Sequence, residues 1–434
     1  MKYEHITVTT APIQDLPSKM ASFMEKRYRI GAGEINTSVA PLMRQLRHDL
    51  WAHIEYPYVD RLYRDSYYRY FASKHEHFSR DTVRVALFAG PPAANDFASE
   101  SGREKLRDQY LGFFLVRPTP PNLIGRSMIS PQAFRDNDYV CCLTAVTSTI
   151  EGVRLTVHAF PHSSQDVESI SCAETSVWSV MEYFGNRHAD YRPAVGSEII
   201  DALAATSPQR LLPSSGLTIL QISRGIRHLG FSSRLYFRDA YTQTQLERLM
   251  NVYIESGIPI IPTLTSKQIG HAVVAIGHAN RIESGGAGYR KVKRRKEQLL
   301  GIDLIDTADF PRKHVLIDDN HPPYQVHNFF SMQRSYYPPG RFDNLRVSGF
   351  VVPLHERIYL EATKARTLVS DILTDPTIEW ASQLIRDLIV GFSLPKFIWA
   401  ELTTRDLYSN GRAIDEQGRT RAESVGTNGA VERP

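Results

Sequence analysis

The feature that most constrains this chain is an order of elements. Three helix patterns come first, and three apolar strand patterns follow them. "CAETSVWSVMEYFG" sets Val177, Val180, Met181 and Phe184 at helical spacing, with Gly185 expected as its C-terminal cap. "TILQISRGIRHLGF" repeats the design with Ile219, Ile222, Ile226 and Leu229, a Thr218/Gln221 capping box and Gly230 as its stop. "TQTQLERLMNVYIESG" does so again, from Thr242 and Gln245 to Gly257. Then come "IPIIPTL", "HAVVAIGH" and "HVLIDD", short apolar runs rich in β-branched residues. Helices followed by strands predict an α+β fold, because only alternation favours a parallel α/β sheet.

The flanks define the organisation. With 434 residues the chain is long enough for two or three domains. Residues 1–155 are expected to form an N-terminal α+β accessory domain. Val39, Leu42, Met43, Leu46, Leu50 and Ile54 lie near one helical face, while "YLGFFLVRP" and "DYVCCLTAVTSTI" read as strands. "YRDSYYRYF" mixes aromatic and basic residues and is read as an ordinary surface-to-core helix, in preference to a nucleic-acid contact. Residues 156–332 form the second unit. Residues 333–408 form a C-terminal accessory segment with strands at "NLRVSGFVVPL" and "PKFIWAEL" and helices at "ARTLVSDIL" and "EWASQLIRDLIVGF". Residues 409–434 are polar, lack periodicity and read as a disordered tail.

Composition narrows the function. A net charge of +4 is too weak to make nucleic acid an expected partner. No apolar h-region opens the chain and no apolar run approaches a membrane span, so a soluble, cytoplasmic protein is expected. Three cysteines, Cys141 and Cys142 adjacent and Cys172 apart, match neither a disulfide framework nor a zinc pattern. No metal or organic cofactor is implied.

Cys172 opens a predicted helix. A helix N-terminus carries partial positive charge and unpaired N–H groups, which favour a thiolate. The same cysteine would be a small buried hydrophobe in a protein that does not use it. His271 starts an apolar strand, where it is either packed or a base. "HVLIDD" ends in Asp318 and Asp319, either of which suits an orienting carboxylate or simply a turn before "NHPP". Gln165 lies seven residues before Cys172, at a spacing that suits an oxyanion donor. Between the last two strands, roughly 280–313, sits a glycine-containing insertion. Six of its seven residues from Arg290 to Lys296 are basic. It reads as a solvated hairpin extension or a substrate-facing flap.

Gln, Cys on a helix, His on a strand and Asp on the next strand stand in the order of the papain-like cysteine peptidases. "GHAVVAIGH" resembles the histidine strand of that superfamily, and "VLIDD" resembles the strand that ends in its orienting residue. "SGLTILQISRGIRHLGF", "SGIPIIPTL" and "GHAVVAIGH" in succession resemble the bacterial double-glycine leader peptidases and their stand-alone relatives, over Gln165 to about Tyr324. The resemblance implies a papain-like core. Cys172 is its nucleophile, His271 the general base, Gln165 the oxyanion donor and Asp319, chosen over Asp318, the orienting group. It implies a hydrolase that cleaves a peptide or isopeptide bond in a protein or peptide substrate. A regulatory partner would act through the flanking regions. Transamidase, deamidase or acyltransferase chemistry would use the same triad, and a non-catalytic binding module could share the scaffold. Ala173 and Glu174 depart from the family pattern, and Glu174 is expected to bring a carboxylate near the thiol.

Overall fold

The structure is a computed structural model. It describes residues 7–204 except 167 and 170, and residues 217–266, 270–282, 297–299, 302–304, 312–328, 345–356, 361–365, 368, 371, 377, 412–414 and 420–422. Within these the fold is α+β, with helices packed on antiparallel sheets.

In the first region β1 (Thr7–Pro12) leads through α1 (Leu16–Tyr28), α2 (Ala32–Ser38) and α3 (Ala40–Gln45) to β2 (Trp51–Tyr58). Next come α4 (Arg61–Arg69), β3 (Thr82–Phe88), α5 (Ala94–Ala98), α6 (Glu100–Gln109), β4 (Tyr110–Val116) and β5 (Ile124–Ile129). The five strands pair in chain order as an antiparallel sheet. Every residue of β3 and β4 is buried, which is why "TVRVALF" and "YLGFFLV" are continuous apolar runs and not alternating ones. The single helical face expected over Val39–Ile54 is divided. Pro41 starts α3 afresh, and Trp51–Tyr58 is taken as a strand between β1 and β3. Pairing on both edges outweighs the helical spacing, yet Val39, Leu42, Met43, Leu46 and Leu50 remain buried. In α4, Leu62 and Tyr63 are buried, while Arg64 pairs with Asp81 and Arg69 with Asp201.

β6 (Tyr139–Cys141) and the hairpin of β7 (Thr144–Ile150) with β8 (Val153–Ala159) follow. The strand expected over "DYVCCLTAVTSTI" is thus broken after Cys141. The second region carries α7 (Cys172–Arg187), α8 (Gly196–Ala204), α9 (Ile219–His228), β9 (Phe231–Phe237), α10 (Gln243–Glu255), β10 (Ile261–Thr265), β11 (Gly270–Ala272) and β12 (Val274–Ile282). A short hairpin of β13 (Glu297–Leu299) and β14 (Ile302–Leu304) precedes β15 (Arg312–Ile317) and β16 (Gln325–His327). β17 (Arg346–His355) comes next, and β18 (Arg412–Ile414) pairs with β19 (Thr420–Ala422).

Two four-stranded antiparallel sheets organise this region, in the orders β11-β10-β17-β9 and β16-β15-β12-β6. A bridge between Ile260 and Ala275 ties one to the other. β17 lies between β10 and β9, so the segment after residue 332 supplies an interior strand of the second region's sheet. β6 brings a strand of the first region into the other sheet. One apolar cluster runs from Ile13 through Phe114 and Trp178 to Val351, and thus spans both regions.

α7 is the central helix. Its residues Ala173 to Phe184 are all buried. Gly185 is not its cap: the helix continues to Arg187, and a Cβ at Gly185 would lie 2.4 Å from the Pro193 nitrogen. The glycine permits a close backbone approach instead of ending the helix. The other two stops hold, with Gly230 and Gly257 at φ +94 and +76. Glu182, buried near the end of α7, accepts from Arg61 and Arg126, and Arg126 also binds Asp60 at 2.9 Å. The first region therefore holds the central helix through an ion network whose Asp60 and Glu182 are buried and whose Arg61 is exposed; removing a partner of the buried part costs about 3–5 kcal/mol.

No helix among the described residues is long and apolar enough to cross a membrane. The expected helix "EWASQLIRDLIVGF", the strand "PKFIWAEL" and the basic run Arg290–Lys296 lie outside the described residues. So does the tail from Ser409, apart from the β18–β19 hairpin.

Candidate active site

Cys172 is the first residue of α7 and is partly exposed. Ser171 caps the helix. The carboxylate of Glu174 turns back to accept from the Ser171 N–H and hydroxyl, completing a capping box. Glu174, expected near the thiol, is thus bound to the residue just before Cys172. Its charge is committed to the cap, where the helix start favours it.

His271 is carried on β11, which pairs with β10 so that His271 faces Leu264 across the ladder. β12 continues the chain and pairs with β15, Val274 opposite Ile317. In an antiparallel pair, residues before Val274 and after Ile317 emerge at the same end. This brings His271 and the Asp318–Asp319 pair together from positions 47 and 48 residues apart. His271 Nε2 donates to Asp318 Oδ1 at 3.1 Å, and Asp319 Oδ1 is 4.0 Å from the same nitrogen. All three side chains are buried.

Cys172 acts on the His271 ring from the other element, and its influence raises the imidazole pKa. Burial by itself disfavours the imidazolium. The charges of Asp318 and Cys172 and their hydrogen bonds outweigh it and hold His271 well above its ordinary range. Burial, reinforced by the adjacent Asp318 charge, holds the Asp319 carboxyl well above the usual carboxylate range, against the opposing pull of His271. The carboxylate in contact with the imidazole is thus Asp318, one residue before the one chosen from the strand frame. Asp318 immediately follows β15 and still shares its direction, while Asp319 begins the turn.

Gln165 reaches the site by a different route. His162 exchanges two backbone hydrogen bonds with Ser127, and Ser164 N–H binds Ile124 carbonyl at 3.1 Å, so the loop before α7 hangs on β5. Asp166 accepts from the N–H groups of Glu168 and Ser169 and turns the chain toward the helix. The Gln165 side-chain amide then donates to Asn320 Oδ1 at 2.8 Å. Asn320 in turn donates its backbone N–H to Asp318 Oδ1 at 2.9 Å, and its side-chain amide to Asp319 Oδ1 at 3.2 Å. One connected network runs from Gln165 through Asn320 and Asp318 to His271 and Cys172.

Asn320 and His162 are the members that sequence reasoning missed. His162 Nε2 donates to the His321 carbonyl at 2.9 Å, and burial pushes its pKa down to about 4, so it serves as a neutral donor. Asn320 could have been suspected from "DDNHPP", since Asn after an acidic pair is a turn former whose amide can bridge carboxylates. Nothing local to "FPHSS" marks His162.

The other cysteines differ. Cys142 is buried, and burial together with its neighbour pushes the Cys141 thiol far up. The long insertion has its root at the far end of this strand pair. It leaves β12 at Ile282 and re-enters β15 at Arg312, which pair with each other. At a strand rise of about 3.3 Å, this root lies roughly 15–25 Å along the pair from its Val274–Ile317 end, beside which His271 sits.

Comparison with known proteins finds no matching family model and no matching curated protein.

Proposed function

We propose that this chain is a cysteine hydrolase with a papain-like core, acting as a peptidase on a peptide or isopeptide bond. One observation carries the reading: a buried imidazole, His271, is bonded to a buried carboxylate at 3.1 Å and feels the cysteine that starts α7.

In this reading His271 takes the proton of the Cys172 thiol as the reaction begins. The Cys172 sulfur attacks the acyl carbonyl carbon, forming a C–S bond. The negative oxygen is received by the Cys172 backbone N–H, one of the unpaired donors of the helix start, and by the Gln165 amide. An amide carries two N–H groups, and binding one to Asn320 fixes the direction of the other. His271 gives its proton to the leaving amine as the C–N bond breaks. It then takes a proton from water, whose oxygen displaces the thiolate. Asp318 keeps the ring in its tautomer and stabilises its cation throughout.

A nucleophile other than water at the second step would make the same site a transferase or transamidase. Mass spectrometry of products separates the two. The founding test is a proteomic comparison of new N-termini made by the wild-type protein and by Cys172→Ala. Cleavages present only with wild type support the reading. A Cys172→Ala protein that produces the same N-termini overturns it.

A further inference from the structure

The Asp318–Asp319 pair holds one more feature. The two carboxyl groups sit side by side, 0% and 4% exposed, each with an oxygen within 4.0 Å of the same imidazole nitrogen. Their surroundings are unequal. Asp318 Oδ1 accepts from His271 Nε2 at 3.1 Å, from the Asn320 backbone N–H at 2.9 Å and from the Asn320 amide at 3.4 Å. Asp319 Oδ1 accepts one amide N–H at 3.2 Å, and its Oδ2 is buried with no hydrogen-bond partner. A buried carboxylate oxygen that lacks a donor is costly, and two adjacent buried carboxylates do not both ionise.

We infer that Asp319 is a neutral carboxylic acid that shares its proton with ionised Asp318, and that it acts as a positioning residue holding Asp318 on His271. The inference rests on the reading of Cys172 and His271 as the reacting pair. The groups facing the two aspartates are His271 from β11, with Cys172 from α7 behind it. His162 from the loop before α7 and His321 from the turn itself lie alongside. The direction of the Asp319 pKa agrees with the geometry: burial and the Asp318 charge both favour the protonated form. Proton sharing gives Asp318 a third neighbour that donates to it, and it keeps the net charge beside the imidazolium at one, so the ring faces a single defined acceptor.

The test uses the full chain and needs no substrate, so it survives even if the peptidase reading fails. The rate of iodoacetamide labelling at Cys172 is followed by peptide mapping across about pH 5–9 for wild type, Asp318→Asn, Asp319→Asn and Asp319→Ala. Asp319→Ala removes the donor and should label Cys172 about fivefold more slowly than wild type near neutrality, while asparagine copies a protonated acid, so Asp319→Asn should recover most of the wild-type rate; an Asp319→Ala rate equal to wild type overturns the inference. Asp318→Asn should label about tenfold more slowly near neutrality, because the imidazolium that favours the thiolate is no longer held. Infrared spectroscopy of the wild-type protein carrying isotope-labelled aspartate supplies a readout that does not depend on a variant folding. A protonated-carboxyl band should be present at neutral pH. Asp319→Asn labelling as slowly as Asp318→Asn overturns the inference, as does absence of the band. So does a stoichiometric divalent metal in the purified wild-type protein that is lost in Asp319→Asn, since the pair would then be ligands.

Discussion

The two ends of the β12–β15 pair invite comparison. Each gathers buried histidines and charged groups. At one end His271 stands between Cys172 and Asp318. At the other, next to the insertion root, His278 pairs with Glu255 and receives Arg312 at 3.2 Å, while His314 Nε2 meets Asn251 Oδ1 at 2.9 Å. Both ends look like candidate sites if only titratable residues are counted. Only the first joins a nucleophile at a helix start to an imidazole with a carboxylate behind it. At the second, His278 is paired with Glu255 and Arg312 and His314 with Asn251, and no cysteine is among those partners. A buried titratable cluster is therefore structural until a group able to attack or transfer enters it.

The sharpest way to break this comparison is to remove one histidine from each end. His271→Ala should lower turnover by about 10³–10⁴-fold with the fold retained, as loss of an acid–base group does. His278→Ala should leave turnover within about twofold and cost about 1–3 kcal/mol of stability by stripping a partner from Glu255 and Arg312. Steady-state kinetics and denaturant unfolding read both, and equal losses of turnover would erase the distinction between the ends.

Gln165→Ala should lower kcat by about 10²–10³-fold with little change in KM, the signature of a lost oxyanion donor. A raised KM at normal kcat would make Gln165 a binding residue only.

Thiol chemistry offers a smaller contrast. Brief iodoacetamide treatment should label Cys172 at least about tenfold faster than Cys141 or Cys142, since burial suppresses the Cys141 thiolate. Peptide mapping reads the ratio, and faster labelling at Cys141 would contradict the assignment of the nucleophile.

A last contrast belongs to the structural end. Burial pushes His314 down to about 3, with neighbouring His278 acting in the same direction. Above its unfolded pKa of about 6.5 the residue is neutral in both states. Below that pH the unfolded chain takes up a proton that the native chain does not, so stability falls on acidification toward about 3. The contribution is about 1.4 kcal/mol per pH unit in that window. His314→Gln, which preserves an amide donor to Asn251, should flatten the acid side of the stability profile while leaving turnover unchanged. Thermal unfolding at a series of pH values measures this.

Much of this was legible in the sequence because it is local. The capping boxes at Thr218/Gln221 and Thr242/Gln245, the stops at Gly230 and Gly257, and the strands over "IPIIPTL" and "HVLIDD" need only neighbouring residues to be specified. The placement of Cys172 at a helix start followed from the same kind of local pattern, whereas His271 was named as its counterpart through the resemblance to the papain-like peptidases. What stayed hidden depends on residues far apart in the chain. Pairing on both edges turned Trp51–Tyr58 into a strand, and a close approach by Pro193 kept Gly185 inside its helix. Whether Asp318 or Asp319 meets His271 is set by the register of β12 on β15 and by the turn beyond it, and a shift of one residue reverses a side chain's direction. Local chemistry fixes which residues can cap, pair or attack. Only the packed chain decides which carboxylate the imidazole meets, because that depends on hydrogen bonds and burial formed between segments about 150 residues apart.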